Sequence, residues 1–302
     1  MPRPYAGIYL PHHSQFFQET PRLLCYNGPG GVSFMKRKLF AAAALAAVLA
    51  ALYCNYAIDP EDWTVSSARL PAAFDGLRVT LLTDVHGSEF GTGSARLLDA
   101  VAESAPDLIA VSGDLADEVT DRSMLEPLLT GLVQIAPTYY VTGNHEWGRD
   151  DTEDLLTQIA ACGVTVLHNG YVLLEREGQT LVLAGAEDPN GYRDQETPEE
   201  LTARIRSEVG GDPYILMLYH RNDSLDLWSG LEVDLVLAGH GHGGVVRLPV
   251  VGGLLGVDRR LFPDNCEGLY TAGRTTLAVS RGLGGARLWN RPHLPTIVLR
   301  TE

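Results

Sequence analysis

Residues 77–86 read LRVTLLTDVH, an apolar run that ends in the carboxylate Asp84 and the imidazole His86. A near-continuous apolar run of this length is typical of a strand that is buried on both faces. Two more runs end in a similar way, DLIAVSGD at 107–114 and TYYVTGNH at 138–145. The repetition predicts strands that carry polar, chemically active side chains at their carboxyl ends.

Two further apolar runs, in the second half of the chain, end in histidine. The first is YILMLYH at 214–220, and the second is DLVLAGHGH at 234–242. Glycines that flank two imidazoles suit the close approach of a backbone to a metal ion. Each short motif alone could be an ordinary turn, but their order and their shared strand-end position favour a single site.

Helical patterns separate the strands in the first part of the body, which then becomes richer in strands. Helices are predicted at 94–104, 121–135, 151–161 and 198–209. Further strands are predicted at 171–175, 180–184, 275–280 and 296–300. This order predicts a layered α/β domain with its site at the carboxyl ends of strands, and no linker divides the pattern.

The side chains at these strand ends form the ligand set of a two-metal site. The candidate metal ligands are Asp84, His86, Asp114, Asn144, His220, His240 and His242. Carboxylates and neutral imidazoles together suit ions such as manganese, iron or zinc, and Asp114 can bridge two of them. An extended backbone at residues 84–86 would send both polar side chains to the same side. Two ions about 3.5–4 Å apart can hold a bridging hydroxide that attacks a phosphate ester.

His145 is the candidate catalytic residue, because it follows Asn144 directly and could protonate the leaving oxygen. An imidazole has an ordinary pKa of about 6.5 and can transfer a proton near neutral pH. We expect Glu146 to orient His145 rather than to bind metal. Asp117 is expected to stabilise its loop, and Arg281 either touches a substrate phosphate or belongs to a structural turn.

The charge distribution excludes several classes of function. Residues 1–58 carry five basic side chains and one acidic side chain, a net charge of +4. Because the whole chain has a net charge of −15, residues 59–302 carry −19. A body this acidic has no general attraction for nucleic acid or anionic lipid. No lysine follows Lys38, which excludes a Schiff-base lysine and a P-loop lysine from the body.

The other histidines of the body and the cysteines give no clear indication of a functional site. His168 and His293 lie outside the motifs and are predicted to be surface or loop groups. No two cysteines form a Cys-x-x-Cys pair, so no zinc knuckle or dithiol motif is present. Cys162 and Cys266 could pair with each other, but the alternative of free buried thiols is favoured.

An apolar segment near the amino terminus predicts a membrane anchor. Residues 39–54 are all apolar and follow three basic residues at 36–38. Residues 39–58 are long enough to cross a bilayer, and the basic residues would place the body outside the cytoplasm. Residues 35–58 are therefore interpreted as an anchor, with a cleaved signal or a buried helix of the domain as alternatives. Residues 1–34 are interpreted as a disordered leader, or as lying before the true translation start.

The motifs resemble those of the calcineurin-like metallophosphoesterase superfamily, from about Leu77 to the carboxyl end. The resemblance extends to the membrane-anchored bacterial branch of YkuE- and YaeI-type phosphodiesterases, through the segments 70–76 and 280–284. It implies a four-layer α/β/β/α sandwich at residues 70–302, preceded by an N-terminal hydrophobic helix.

The resemblance also implies how the ligands are shared between two ions. One ion would be held by Asp84, His86 and His242. The second ion would be held by Asn144, His220 and His240. Asp114 would bridge the two ions, and His145 would lie near the leaving group.

Two positions depart from the pattern of this branch. Val245 stands where a glutamine often follows His-Gly-Gly, and Arg221-Asn222 stand where a proline often follows the fourth motif's histidine. Neither departure removes a metal ligand. Both positions lie near the expected substrate, so they bear on which substrate is bound.

The expected function is metal-dependent hydrolysis of phosphate esters, with phosphodiesters as the leading substrate class. The alternatives are a phosphomonoesterase or protein phosphatase on the same site, and a non-catalytic metal-binding scaffold. The expected location is a bacterial cell membrane, with a single span and an extracytoplasmic catalytic domain, or secretion after signal cleavage. A lipid or envelope phosphate is the expected substrate because an anchor keeps the site near the bilayer, and no nucleic acid partner is expected.

Overall fold

The computed structural model describes residues 30–248, 251–285, 287 and 289–302. The chain divides into two compact units, of which the second covers Ala47–Glu302. The α-helices of the described residues are α1 (Gly30–Tyr56), α2 (Ala95–Glu103), α3 (Glu126–Ile135), α4 (Thr152–Ala161), α5 (Pro198–Val209) and α6 (Leu225–Gly230). The four helices predicted for the body correspond to α2, α3, α4 and α5.

The first sheet of the second unit has six strands in the order β1-β14-β2-β3-β4-β5. The strands are β1 (Asp59–Ser66), β2 (Arg78–Leu82), β3 (Leu108–Ser112), β4 (Thr138–Val141), β5 (Thr165–Val166) and β14 (His293–Arg300). Strands β2 to β5 are parallel, and β14 runs antiparallel to β2. The carboxyl ends of β2, β3 and β4 therefore meet at one edge of the sheet.

The second sheet also has six strands, in the order β12-β13-β9-β8-β7-β6. The strands are β6 (Gly170–Arg176), β7 (Gln179–Gly185), β8 (Ile215–Leu218), β9 (Leu235–Ala238), β12 (Gly268–Ala272) and β13 (Thr275–Val279). Strands β7, β8, β9 and β13 are parallel. A separate ribbon pairs β10 (Val246–Leu248) with β11 (Gly252–Leu255).

Three apolar clusters join these elements into four layers. The middle cluster packs side chains of the first sheet, such as Leu81, against side chains of the second sheet, such as Leu216. A second cluster packs α2, α3 and α4 on the outer face of the first sheet, and a third packs α5 and α6 on the second. The predicted α/β/β/α sandwich is confirmed, and central strands such as β3, β8 and β9 are buried on both faces, as the continuous apolar runs predicted.

The N-terminal hydrophobic helix is also confirmed. Within α1, the stretch Phe34–Cys54 has 21 residues and is long and apolar enough to span a membrane. Buried core helices and signal sequences meet the same requirement. Most of the predicted leader, residues 1–29, lies outside the described residues, so its interpretation stays a prediction.

Several strands were not predicted from the sequence. The most consequential is β1, whose residues DPEDWTVS begin with three acids among the first four positions. Acidic residues and proline are poor strand formers, so the segment gives no local strand signal. It pairs in parallel with β14 at the edge of the first sheet, and this tertiary pairing decides its conformation.

Candidate metal centre

The two sheets deliver different parts of one site. From the first sheet, residues follow the ends of β2, β3 and β4: Asp84, His86, Asp114, Asn144 and His145. From the second sheet, residues follow the ends of β8 and β9: His220, His240 and His242. Because the strands on both sides end at the same edge of the sandwich, the side chains converge there.

One cluster consists of Asp84, His86 and His242, with one candidate ligand atom from each lying within 4.8 Å of the others. The Nε2 atoms of His86 and His242 are 3.2 Å apart, and His242 Nε2 lies 3.4 Å from Asp84 Oδ1. Burial lowers the pKa of both histidines below the ordinary value. Neutral imidazoles next to a buried carboxylate form a set of electron-pair donors that suits a cation.

A second cluster consists of Asp114, His220 and His240, with one candidate ligand atom from each again lying within 4.8 Å of the others. Asp114 Oδ2 lies 3.1 Å from His220 Nε2 and 3.9 Å from His86 Nε2. One oxygen of Asp114 therefore faces a histidine from each cluster. This is the position that a bridging carboxylate would need.

Two buried atoms test whether a metal centre fits these residues. His220 Nδ1 lies 2.9 Å from the Ser112 carbonyl, which fixes the tautomer and leaves Nε2 as the free donor atom. Asn144 Oδ1 is buried and has no hydrogen-bond partner in the described part of the chain, and buried His220 Nε2 faces only the Asp114 carboxylate, 3.1 Å away, without forming a hydrogen bond to it. Buried polar atoms normally have partners, and a cation would satisfy both of these. The residues present fit a metal centre.

The electrostatics of the second cluster lead to the same conclusion. Burial acts to lower the pKa of His220, but the adjacent Asp114 carboxylate outweighs it and raises that pKa to about 10. Burial, together with the neighbouring His220 and Arg221, lowers the pKa of His240 to about 4. A proton on His220 compensates Asp114 here, and a metal cation could take over that role.

The backbone at the ligands differs from the prediction. The extended conformation predicted at residues 84–86 is wrong, because Asp84 and His86 have φ values of 51° and 48°. Asp114, His240 and His242 also lie in the left-handed region. Strained backbone of this kind clusters at functional sites and costs about 1–3 kcal/mol per residue. Hydrogen bonds hold the turns, since the N–H groups of Asp84 and His86 donate to the carbonyls of Gly113 and Asp114.

Glycine precedes several ligands for steric reasons. A Cβ atom on Gly113, whose φ is +79°, would lie 2.5 Å from His220 Nδ1. A Cβ atom on Gly239 would lie 2.5 Å from Asp84 Oδ2. Both contacts are shorter than van der Waals packing allows, so side chains at these positions would push the two sheets' ligands apart.

Glu146 has a different partner set from the one predicted. Its buried carboxylate accepts hydrogen bonds from the backbone N–H groups of Asp114 (3.0 Å), Ala116 (3.1 Å) and Gly143 (2.7 Å). Burial and then the negative charge of Asp114 raise its pKa to about 7. Glu146 thus ties together the loops after β3 and β4 and forms no hydrogen bond to the His145 ring among the described residues.

The residue that orients His145 is Glu118, which the sequence did not reveal. His145 Nδ1 lies 3.0 Å from Glu118 Oε2. Burial acts to lower the pKa of His145, but Glu118 and Asp114 outweigh it and raise that pKa. The ring centroids of His145 and His86 are 4.9 Å apart, and His145 also has a ligand atom within 4.8 Å of His86 and Asp114.

Arg221 lies at the edge of the second cluster. Its guanidinium makes two hydrogen bonds of 2.6 and 2.9 Å to Asp188, a fully buried carboxylate after β7. Its Nη1 atom lies 3.2 Å from His240 Nε2. Arg221, which stands where the related branch often has proline, thus places a guanidinium beside the candidate ligand His240. Asp188, which holds this guanidinium, is, like Glu118, a residue that the sequence analysis did not identify.

The other residues considered in the sequence analysis lie outside the two ligand clusters. His168 is exposed, as predicted, and pairs with Glu187. The prediction for His293 is wrong, because β14 lies inside the first sheet and buries its ring against Glu61 at 3.1 Å. Asp117 stabilises its own loop by accepting a hydrogen bond from the Thr120 hydroxyl. Cys54, Cys162 and Cys266 are free thiols in the described part of the chain.

Arg281 is held by carboxylates rather than turned toward a substrate. Its Nη2 atom lies 2.6 Å from Asp59, and its Nη1 atom lies 3.0 Å from Glu267. Of the two interpretations of Arg281 left open by the sequence, the structural one agrees with these contacts.

Comparison with known proteins now decides the family. A profile described as calcineurin-like phosphoesterase matches residues 77–244, which is more than half of the chain and contains all the candidate ligands. The chain belongs to this family. It is therefore a metallophosphoesterase, a hydrolase whose family uses metal ions, and the clustered donors described above are consistent with that chemistry.

Three individual relatives are each 28% or 30% identical in sequence to this chain. The uncharacterized metallophosphoesterase YkuE of Bacillus subtilis is 30% identical over 239 residues, 76% of this chain and 80% of YkuE. Phosphodiesterase YaeI of Escherichia coli is 30% identical over 234 residues, 74% of this chain and 82% of YaeI. A transmembrane protein with metallophosphoesterase domain from Danio rerio is 28% identical over 286 residues, 87% of this chain and 63% of that protein.

Proposed function

We propose that this metallophosphoesterase hydrolyses phosphodiesters at a centre of two divalent metal ions. The observation that carries the proposal is the position of Asp114 Oδ2, which faces one histidine of each ligand cluster. The choice of diesters is supported by the similarity to YaeI, a phosphodiesterase. One shared carboxylate between two sets of donors is the arrangement that two ions need at short separation.

The residues of the two clusters would hold the ions. Asp84, His86 and His242 would bind the first ion, and Asn144, His220 and His240 would bind the second. Asp114 would contact both. Bound in these positions, the ions would activate a water nucleophile and neutralise the charge that develops on the phosphoryl oxygens.

His145 would donate a proton to the leaving oxygen. Glu118 holds Nδ1 at 3.0 Å, which leaves Nε2 as the atom that can face the substrate. Glu118 and Asp114 raise the pKa of His145, which favours the protonated ring that a proton donor needs. The same histidine lies near Asp114 and His86 and could instead be a ligand, and substitution distinguishes the two roles.

The apolar helix supports a place at the membrane. Phe34–Cys54 would span the bilayer, and the basic residues at 36–38 favour a cytoplasmic start and an extracytoplasmic body. The end of this helix belongs to the same compact unit as the candidate ligands, Ala47–Glu302, and within that unit Arg291 donates to the carbonyls of Ala57 and Ile58 just after the helix. A short, hydrogen-bonded connection would keep the site near lipid or envelope phosphates, which we infer to be the substrate class.

A phosphomonoesterase activity is the second candidate. The observation that favours it is Arg221, whose Nη1 atom lies 3.2 Å from His240 Nε2. Asp188 pairs with this guanidinium but leaves Nη1 directed toward the second cluster, where it would favour a phosphoryl group with two negative charges over one with a single charge.

The test uses the full chain in detergent, purified without chelator. Turnover of bis(p-nitrophenyl) phosphate and p-nitrophenyl phosphate would be measured with manganese, iron, zinc or nickel. We expect metal-dependent turnover with the diester preferred, and loss of it in Asp114→Asn. A higher kcat/KM for the monoester would favour the second candidate, and metal-loaded protein with no turnover of either ester would contradict both.

A further inference from the structure

Three arginines on the loop after β13 have different partners. Arg281 and Arg291 both pair with Asp59, at 2.6 and 2.7 Å. Arg287 pairs with no carboxylate in the described part of the chain and donates only to backbone carbonyls. Its Nε atom lies 3.1 Å from the Gly284 oxygen, and its Nη1 atom lies 3.3 Å from the Gly282 oxygen.

Arg287 lines a cavity of about 310 Å³. Tyr56 and Ser88 add hydroxyl groups to the wall, and Phe90 and Leu283 add apolar surface. The one carboxylate on the wall, Glu89, accepts a hydrogen bond of 2.6 Å from the Gly93 N–H. The cavity therefore presents a guanidinium and two hydroxyls, and its carboxylate already has a donor.

The cavity wall is continuous with the first metal-ligand cluster. The N–H of Gly284 donates to the Asp84 carbonyl at 2.6 Å. A Cβ atom on Gly285 would lie 2.8 Å from the His242 ring. At the other end, Tyr56 is the last residue of α1, the helix that contains the apolar span. The cavity thus lies between the end of that helix and the proposed metal centre.

An arginine in this setting lacks a partner for its charge. Burial lowers the pKa of Arg287 to about 10, although Asp84 acts in the opposite direction. Partly buried cations are normally paired with an anion, because desolvation of an unpaired charge is costly. Guanidinium and hydroxyl donors together are the usual partners of phosphate oxygens.

We propose that Arg287, Ser88 and Tyr56 form a second anion subsite, which binds a phosphate group of the substrate other than the one being cleaved. The link to catalysis rests on the proposed phosphodiesterase function. The substrate would then carry two phosphate groups, with the second directed toward the end of the apolar helix. A lipid headgroup and a soluble bisphosphate both have this chemistry.

The test compares two chromogenic diesters that differ by one phosphate. They are thymidine 5′-(p-nitrophenyl phosphate) and the same compound with a 3′-phosphate. We expect the metal-loaded full chain to prefer the 3′-phosphorylated diester in kcat/KM by roughly 10- to 100-fold, the factor for one charge-assisted contact. Arg287→Gln should bring the ratio close to one while turnover of the unphosphorylated diester stays within about twofold.

The control is Arg260→Gln, which removes the same charge from an arginine whose side chain is 84% exposed. It should leave the ratio unchanged. Tyr56→Phe removes one hydroxyl and should reduce the ratio only in part, so it tests the subsite even if Arg287→Gln unfolds. A ratio near one in the wild-type protein, or one that Arg287→Gln does not change, would overturn the proposal.

Direct binding separates this proposal from the proposed function. Calorimetry would compare thymidine 3′,5′-bisphosphate with thymidine 5′-phosphate on the metal-loaded wild type and Arg287→Gln. Tighter binding of the bisphosphate by the wild type alone would support the subsite even if no ester were hydrolysed. Equal affinities would overturn it even if diesters were hydrolysed.

The source of the phosphate needs one more comparison. Full-chain protein in phosphatidylcholine nanodiscs would be assayed on the unphosphorylated diester with phosphatidic acid in the disc, or with glycerol phosphate in solution. Arg287-dependent inhibition by phosphatidic acid supports the subsite with a lipid source, and such inhibition by glycerol phosphate supports it with a soluble source. Inhibition that is the same in Arg287→Gln would count against the subsite.

Discussion

The two sheets of the sandwich make unequal contributions to the candidate metal centre. The first sheet supplies every oxygen donor, from Asp84, Asp114 and Asn144, and also His145. The second sheet supplies only imidazoles. The cluster of Asp84, His86 and His242 and the cluster of Asp114, His220 and His240 each draw on both sheets. The complete site therefore exists only when the sandwich has formed, so metal binding and folding should be coupled.

The sheets also stabilise their ligands in different ways. In the first sheet, the buried Glu146 carboxylate accepts three backbone hydrogen bonds and fixes the loops that carry Asp114 and Asn144. In the second sheet, His220 is fixed from outside, by the Ser112 carbonyl of the first sheet. The first sheet is therefore the scaffold that orders the site, and substitutions there should have the larger effects.

Asp114→Asn should have the largest effect. Loss of one negative charge at the position shared by both clusters should lower kcat/KM by about 10³-fold or more and reduce bound metal from two ions per chain to one or none. Steady-state kinetics and elemental analysis of the purified protein measure both. Two ions and wild-type turnover would show that Asp114 does not bridge.

His145→Ala should cost about 10²-fold in rate on a diester with an alkoxide leaving group, because proton donation matters most for a poor leaving group. The loss on bis(p-nitrophenyl) phosphate should be much smaller, since p-nitrophenolate leaves without a proton. Metal content should not change. Equal losses on both substrates together with loss of metal would make His145 a ligand instead.

Glu146→Gln should lower the free energy of unfolding by about 2 kcal/mol, because an amide cannot accept all three backbone hydrogen bonds and its N–H₂ group faces donors. Thermal unfolding of metal-free protein measures this effect without interference from ligand binding. The matched control is Glu200→Gln in the capping box of α5, where glutamine serves nearly as well as glutamate. If the two variants unfolded alike, the scaffold role of Glu146 would be refuted.

Metal affinity should rise with pH. His220 has a raised pKa of about 10 and must lose its proton to bind metal, so the apparent affinity should increase by up to tenfold per pH unit below that value. Titration with Mn²⁺ at pH 6, 7 and 8, with proton release followed in weak buffer, measures the slope. His220→Gln should flatten it, and a pH-independent affinity in the wild type would contradict the assigned donor.

Much of this site could be predicted from sequence because its signals are local. An apolar run with a polar residue at its end specifies both a buried strand and the position of the ligand, so the ends of β2, β3, β4, β8 and β9 were predictable. The left-handed backbone conformation at Asp84 could not be predicted from the sequence, because it depends on hydrogen bonds to the loop after β3.

Residues that act through tertiary contacts were not predictable in the same way. Glu118 and Asp188 lie in acidic loop segments that resemble ordinary solvated loops, and only the fold brings them to His145 and Arg221. The prediction that His293 is a surface or loop group was wrong for a related reason, because the burial of this residue depends on β14 lying between β1 and β2. On the loop after β13, the sequence analysis named Arg281 as a possible phosphate contact, but Arg281 pairs with Asp59 and Glu267. It did not identify Arg287.

Anomalous diffraction from crystals of the manganese-loaded full chain would test most directly whether two ions are held between the two sheets. We expect two anomalous peaks about 3.5–4 Å apart, one beside His86 and His242 and one beside His220 and His240, with Asp114 between them. A single peak, or peaks that contact residues of only one sheet, would contradict this expectation.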